Sequence, residues 1–195
     1  MGLIVNEQIE KLPEILDRPP RSFLAEFFDI AEAIIVAIVA SVLILTLVFR
    51  TGYVDGSSME DTMHENDRYI VSGLFYTPKQ GDIIVFQPNI PNEEKKLWVK
   101  RVIATEGQTV YIDPVEHTVY VDNVLLNEEY ISQPTVPGMT ENPIIVPEGY
   151  IFILGDNRGV SRDSRDASVG CMDTRRIVGR VLFRFYPFNK IGSIK

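Results

Sequence analysis

An uninterrupted apolar run over residues 33–49 constrains this chain more than any other feature. The run holds no charged residue, and Ser41 and Thr46 are its only polar side chains. At a rise of ~1.5 Å per residue, a helix of this length nearly crosses a hydrocarbon core ~30 Å thick. A buried core helix usually shows a polar face, and this run shows none. We therefore predict one transmembrane anchor over residues 30–50.

The residues before the run indicate a retained anchor rather than a cleaved leader. A secretory leader begins with a short basic segment, whereas residues 1–29 hold six acidic and three basic side chains. The basic residues on the two sides of the run are Lys11, Arg18 and Arg21 before it, and Arg50 and Arg68 after it. This distribution favours a cytoplasmic segment 1–29 and an extracytoplasmic domain 51–195.

The composition argues against several classes of function. The formal charge is −8, and no block of basic residues could follow a phosphate backbone, which argues against nucleic acid as a partner. Cys171 is the only cysteine, so neither an internal disulfide nor a cysteine-based metal site can form. The two histidines, His64 and His117, lie far apart in the sequence. We therefore predict no metal and no cofactor.

Beyond the anchor, the pattern changes to short runs of β-branched and aromatic residues separated by turn signals. These runs occupy residues 69–71, 83–86, 98–104, 109–112, 118–121, 150–154 and 178–185. Residues 120–125 read as a tight hairpin. Residues 127–148 carry four prolines, which predicts an irregular surface insertion. We predict a mainly β fold for residues 51–195, with an antiparallel β-sheet or barrel-like domain.

Three stretches carry candidate chemistry. Ser58 lies soon after the apolar run, so its chemistry would take place close to a membrane surface. Lys100 lies inside an otherwise apolar strand, and burial lowers a lysine pKa by up to ~3–5 units. A neutral lysine amine can take a proton from a serine hydroxyl near neutral pH. The third stretch, residues 155–165, follows an apolar strand and is rich in hydrogen-bonding groups.

Together these stretches resemble the sequence boxes of the bacterial type I signal peptidase family. The resemblance rests on Ser58-Met59-Glu60-Asp61-Thr62, residues 66–71, residues 78–86, Val99-Lys100-Arg101-Val102-Ile103, Gly155-Asp156-Asn157-Arg158, Ser161, Asp163, Ser164 and Arg165. The single amino-terminal anchor resembles the Gram-positive form of the family. The resemblance implies a serine endopeptidase of the plasma membrane that releases signal peptides from exported preproteins, with the lipid bilayer as a second partner.

The same resemblance implies a role for each matching residue. Ser58 would attack the scissile carbonyl, its backbone N–H would stabilise the oxyanion, and Lys100 would act as the general base. Ser161 would orient the lysine amine, while Asp163 and Arg165 would form a structural ion pair beneath the site. The remaining residues of that box would have a structural role near the site: Gly155, Asp156, Asn157 and Arg158.

Two positions depart from the family pattern. Asp61 stands where the family usually has a proline, which would stiffen the turn behind the serine. If the Asp61 carboxylate faced Lys100 it would raise the lysine pKa and weaken the base, so we expect it to point to solvent. Gly56 stands where some relatives carry a serine that serves as a side-chain oxyanion donor. We therefore expect the oxyanion hole to rest on backbone groups alone.

Substrate binding can be predicted from the behaviour of extended peptides, which add as strands beside an exposed edge. The predicted edges precede the serine and the lysine, at Asp55, Gly56 and Val99. The family resemblance implies small substrate side chains, typically alanine, at the two positions that enter pockets. The segment Gly73-Leu74-Phe75-Tyr76 is a candidate apolar contact with lipid, with ordinary core packing as the alternative.

Two alternatives remain open from the sequence. A self-cleaving Ser-Lys protein of the repressor type would have a DNA-binding helical domain at its amino terminus, where this chain has the apolar run. A membrane-tethered relative that has lost activity through Asp61, and that acts as a binding module, fits the same residues. Incubation of the purified protein with a preprotein separates this alternative from an active peptidase.

Overall fold

The computed structural model describes residues 22–60, 62–91, 96–138 and 142–194. The apolar run forms helix α1, Phe23–Val48, and the side-chain hydroxyl of Ser22 accepts a hydrogen bond of 3.2 Å from Ala25 N at its first turn. The helix is long and apolar enough to cross a membrane. It begins seven residues before the predicted anchor 30–50, and the last two residues of that prediction belong to a strand.

The rest of the described chain forms two antiparallel sheets. The strands are β1 Phe49–Tyr53, β2 Arg68–Ser72, β3 Ile83–Phe86, β4 Trp98–Thr105, β5 Thr109–Ile112, β6 Val119–Val121, β7 Val124–Leu125, β8 Ile144–Ile145, β9 Tyr150–Leu154, β10 Met172–Asp173 and β11 Ile177–Tyr186. The larger sheet has the order β1-β2-β11-β3-β4-β9-β10, and the smaller one has the order β7-β6-β5-β8. The predicted mainly β, antiparallel fold is confirmed.

The predicted strands agree with the observed ones to within one residue at each end. The predicted hairpin is also present, because Val121 pairs with Val124 while Asp122 and Asn123 have φ values of 52° and 65°. Strand β1 was not predicted, because it continues the apolar run and contains a charged residue and a glycine. The residues of the insertion that the structure describes include only the short strand β8.

Buried apolar side chains form three clusters. One joins the two sheets through β4, β5, β6 and β9, and a second is formed by residues of β3, β4, β9 and β10. The third packs beneath the loop between β1 and β2, the loop that carries Ser58. Its members are Val54, Met59, Met63, Tyr69, Val71, Ile83, Val85 and Val181. Burial of the methionines on both sides of a short turn therefore holds the serine loop against the larger sheet.

Strand β4 has two neighbours that meet it over different segments. Its first residues, from Trp98 to Arg101, pair with β3, and its later residues, from Arg101 to Thr105, pair with β9. On the β9 side, residues 98–100 therefore pair with no strand of the described residues. This unpaired edge ends at Lys100, so the fold leaves space for another strand beside the candidate base.

Candidate active site

Ser58 lies in a loop whose two ends are tied to the sheet. Val54 N donates to Asp67 O at 2.9 Å, and Asn66 N donates to Val54 O at 2.9 Å, which closes the loop at its base. Met63 N donates to Met59 O at 2.8 Å, and both methionine side chains are buried. Because the residue after Ser58 is anchored in the core, the half-buried serine faces away from it toward β4.

Lys100 extends from β4 to the serine. The side chain is only 4% exposed, and its Nζ lies 2.7 Å from Ser58 Oγ and 3.1 Å from Val99 O. The ring of Trp98 lies on the same amine, with its centroid 5.3 Å from Nζ. Two residues that are 42 positions apart in the chain are thus within hydrogen-bond distance.

Burial controls the protonation of the lysine. It lowers the pKa of Lys100 from its ordinary value of 10.5 to about 8, since the charged ammonium loses its hydration. The negative charges of Asp163 and Asp156 act in the opposite direction and limit the fall. A lysine with this pKa is neutral in a substantial fraction of molecules near neutral pH, as a general base requires.

The loop of residues 155–165 holds the backbone of the serine. Asn157 N donates to Ser58 O at 3.1 Å, and Asn157 Nδ2 donates to Ser57 O at 3.1 Å. A Cβ on Gly155 would lie 2.1 Å from Ser161 Oγ and 2.5 Å from Ser58 O. Only glycine fits at this position, because the two loops approach each other more closely than a side chain allows.

Ser161, the predicted lysine-orienting residue, lies next to the serine loop. Its hydroxyl oxygen is buried, and no group in the described part of the chain forms a hydrogen bond with it. Because a Cβ on Gly155 would lie within 2.5 Å of both Ser161 Oγ and Ser58 O, these two atoms lie close together beside Gly155. The structure thus brings Ser161 beside the serine without a direct hydrogen bond to Lys100 among the described residues.

Asp163 and Arg165 form a buried ion pair beneath this loop. Arg165 Nε donates to Asp163 Oδ1 at 2.8 Å, and Gly155 N donates to Asp163 Oδ2 at 3.0 Å. Arg165 also donates to the carbonyl of Arg158 at 2.8 Å. The pair therefore fixes both ends of the turn that contacts Ser58, as a charge pair with its remaining hydrogen-bonding capacity used can do.

A second buried ion pair was missed from the sequence. Arg101 Nε and Nη2 donate to the two carboxylate oxygens of Asp156 at 2.9 and 2.7 Å, and Thr62 donates to the same carboxylate at 2.5 Å. Arg101 follows Lys100 in β4, so its side chain leaves the strand on the opposite side. The sequence signal that could have revealed this pair is Arg101 itself, a second cation inside the apolar strand. The ion pair, together with Thr62, joins β4, the serine loop and the 155–165 loop.

Arg158 ties the insertion to the site. It is buried, donates to Gly155 O at 3.0 Å, and forms an ion pair with Glu128 at 2.5 Å. It also donates to the hydroxyl of the fully buried Thr135. Glu128 and Thr135 lie in the segment predicted as an irregular insertion, so that segment is part of the framework around the 155–165 loop.

The two departures from the family pattern have different outcomes. Asp61 lies outside the described residues, so the expectation that it points to solvent stays a prediction. Gly56 has a φ of +99°, a conformation that L side chains rarely adopt, and apart from its chain neighbours no atom of the described residues lies within 4 Å of the place of a Cβ. A serine at this position would therefore have room but would strain the backbone.

Two of the three predicted substrate-edge residues, Asp55 and Val99, line one cavity of about 240 Å³. We call it the serine cavity; it is lined by Tyr53, Val54, Asp55, Ser58, Met59, Leu97, Trp98, Val99, Lys100, Val160 and Arg162. Gly56 does not line it, although its neighbour Asp55 does. Among the described residues, no group of three or more metal-binding side chains converges here or elsewhere.

A serine hydroxyl held against a buried lysine amine, on an antiparallel β domain, points to the class of serine hydrolases. The family model described as "Signal peptidase, peptidase S26" matches residues 27–186 of the chain. The chain therefore belongs to the signal peptidase family, which confirms the resemblance seen in the sequence motifs. Membership of this family also confirms the predicted function of the chain as a hydrolase that processes signal peptides.

Curated relatives of this chain come from several bacteria. It is 34% identical over 176 residues to "Signal peptidase I" of Bacillus licheniformis, covering 84% of this chain and 91% of the relative. It is 36% identical over 169 residues to "Probable signal peptidase I-1" of Synechocystis, covering 83% of each. A solved signal peptidase I from Enterococcus faecalis is 28% identical, with a TM-score of 0.46, covering 54% of this chain and 97% of that one.

Proposed function

We propose that this chain is an active type I signal peptidase that uses Ser58 as nucleophile and Lys100 as general base. It hydrolyses the peptide bond that releases the signal peptide from an exported preprotein. The observation that carries this proposal is the distance of 2.7 Å between Ser58 Oγ and the Nζ of a lysine that is 4% exposed. Burial lowers the pKa of that amine to about 8, which makes it a base near physiological pH.

The reaction then proceeds in two halves. The neutral amine of Lys100 accepts the hydroxyl proton of Ser58 as Oγ bonds to the scissile carbonyl carbon. The resulting ammonium gives its proton to the departing amine of the mature protein, the peptide bond breaks, and an acyl-serine ester remains. A water molecule then attacks the ester, with Lys100 accepting its proton and returning it to Ser58 Oγ.

Backbone geometry supports a donor for the oxyanion. In the described part of the chain the amide N–H of Ser58 donates no hydrogen bond, while its carbonyl is held by Asn157 N. Gly56 supplies no side-chain donor, so this amide is the proposed stabiliser of the negative oxygen. Loss of one such donor costs about 10²–10³ in rate, which makes the orientation of the loop by Asn157 important for catalysis.

The substrate binds as an added strand along the serine cavity. Within the described chain, residues 98–100 have an unpaired strand edge, and Asp55 lines the same cavity. An extended peptide between these edges makes main-chain hydrogen bonds to them and places alternate side chains in pockets. The small volume of the serine cavity, about 240 Å³, favours the small side chains that the family resemblance implies.

Helix α1 serves as a single-pass anchor in the plasma membrane, with residues 1–29 cytoplasmic and the β domain extracytoplasmic. Leu74 and Phe75 extend this contact with the lipid bilayer. Phe75 is 96% exposed, and the two residues follow Ser72, which pairs with Phe49 at the start of β1. An exposed aromatic tip beside the first residues after an apolar helix is suited to the membrane interface.

Cleavage of a preprotein by the full-length chain in detergent tests the dyad. We expect Ser58→Ala and Lys100→Ala each to abolish cleavage while circular dichroism stays that of the wild type, because each removes one partner in proton transfer. Ser57→Ala and Lys190→Ala are matched controls, since both side chains are exposed, and they keep activity. Cleavage by either dyad variant at the wild-type rate would refute the mechanism, and an inactive wild type would favour the binding module.

A further inference from the structure

Three cavities of the β domain follow one another in a row. A second cavity of about 640 Å³, the strand cavity, includes Thr51 and Gly52 of β1 and Lys96. It shares Tyr53, Asp55, Leu97 and Trp98 with the serine cavity. A third cavity of about 750 Å³, the loop cavity, lies between residues 133–138 and residues 158–166. It shares Val160 and Arg162 with the serine cavity and no residue with the strand cavity.

The order of these cavities gives a direction to the bound substrate. A peptide cut at Ser58 extends to both sides of the serine cavity, so one side occupies the strand cavity and the other the loop cavity. The strand cavity borders β1, which continues directly from the apolar helix α1. The apolar part of a signal peptide lies in the same membrane as that helix, so the signal side of the substrate belongs in the strand cavity.

We propose that the loop cavity binds the first residues of the mature protein, immediately after the scissile bond. This inference rests on the proposed function, and it assigns the leaving-group side of the substrate to a specific wall of the enzyme. A cavity of this size accommodates a few residues of an extended peptide. The mature segment would pass Val160 and Arg162 as it leaves the serine cavity.

The walls of the loop cavity are packed against each other. A Cβ on Gly159 would lie 2.2 Å from Gln133 Oε1, and a Cβ on Gly138 would lie 2.1 Å from Arg165 O. Thr135, between them, is fully buried, and its amide donates to His117 O at 2.9 Å. The segment is therefore held in place before substrate arrives, which reduces the entropic cost of binding.

The side chains that face the opening indicate which residues it accepts. Val136 is 52% exposed and Val160 is 63% exposed, so the accessible surface contains two small apolar groups. Arg162 lies 3.3 Å from Asp166, and both are partly exposed. The other two arginines of the lining, Arg158 and Arg165, are buried in ion pairs with Glu128 and Asp163, so each positive charge of the cavity has a carboxylate partner. The loop cavity thus suits small or apolar residues without a strong preference for either charge.

Introducing a negative or a positive charge at Val136 tests this assignment on the full-length protein in detergent. Two peptides share one signal-side sequence and carry either lysine or glutamate as the second residue after the scissile bond. The measured quantity is the ratio of kcat/KM for the lysine peptide to that for the glutamate peptide. We expect Val136→Glu to raise this ratio, and Val136→Lys to lower it, each by about three- to fivefold at low salt.

Matched controls are Val115→Glu and Val115→Lys, because Val115 is an exposed valine that lines none of the three cavities. These variants leave the ratio as in the wild type. Equal changes at the two positions, or no change at Val136, would overturn the assignment. A third substrate ends at the scissile carbonyl with a chromogenic leaving group and no mature residues. Its cleavage by the wild type shows that the dyad works whatever the result at Val136.

Discussion

The lowered pKa of Lys100 leads to a quantitative prediction for the effect of pH. The perturbation is a change of pH from 5.5 to 9.5 in the full-length protein. Only the neutral amine accepts the proton of Ser58, so kcat/KM rises with pH and levels off above the lysine pKa of about 8. At pH 7 about one molecule in ten then has a neutral lysine, about 300-fold more than with the ordinary value of 10.5.

The structure provides a second measurement of the same titration. Trp98 is the only tryptophan in the chain, and its ring centroid lies 5.3 Å from Lys100 Nζ. A change of charge at that distance alters the indole emission, so fluorescence should change with a midpoint near that of kcat/KM. Burial raises the pKa of the Cys171 thiol to about 11 and that of Tyr69 to about 12, which places both outside the measured range.

Lys100→Met is the control for the fluorescence, since methionine keeps most of the side-chain volume and has no proton to lose. The transition should be absent in this variant and retained in Ser58→Ala. If kcat/KM and the fluorescence were still changing at pH 9.5 without levelling off, water would reach the amine, and the argument from burial would be refuted. A plateau that begins below pH 6 would equally point to a different base.

The same pKa predicts the stability of Lys100→Met. Because the folded-state pKa lies below the unfolded-state value, burial of the ammonium costs about 3 kcal/mol at neutral pH. This penalty is fully present below pH 8 and disappears as the pH rises toward 10.5, so wild-type stability increases over that window. The methionine variant loses two hydrogen bonds, worth about 1 kcal/mol each, and should still melt at a higher temperature at pH 7.

Three further predictions concern the framework of the site. Gly155→Ala places a Cβ against Ser161 and the carbonyl of Ser58, and should reduce kcat at least tenfold with normal circular dichroism, whereas unchanged kinetics would contradict the close approach. Asp163→Ala leaves the Arg165 guanidinium buried without its carboxylate, and should lower the free energy of unfolding by about 3–5 kcal/mol in denaturant titrations; a loss below 1 kcal/mol would show that water replaces the carboxylate. Cleavage should be unaffected by metal chelators, and inhibition would reveal a metal-dependent step.

The sequence alone determined the features that depend on neighbouring residues. The length and composition of one run predict helix α1, because a helix satisfies its backbone hydrogen bonds locally. Alternating apolar residues and turn signals predict the strands to within a residue, and a pair of turn-forming residues predicts the hairpin at Asp122. Ser58 and Lys100 are weak signals one at a time, and they are predicted as the candidate dyad because the order of the three stretches after the apolar run resembles the family pattern.

Only the tertiary structure decided which of these residues meet, and how dry their surroundings are. Lys100 acquires its low pKa from residues brought over it by several elements, and no local pattern specifies that burial. The ion pair between Arg101 and Asp156 joins positions 55 residues apart, and that between Arg158 and Glu128 joins positions 30 apart. Such contacts depend on chain topology and packing, which arise only when the whole domain has folded.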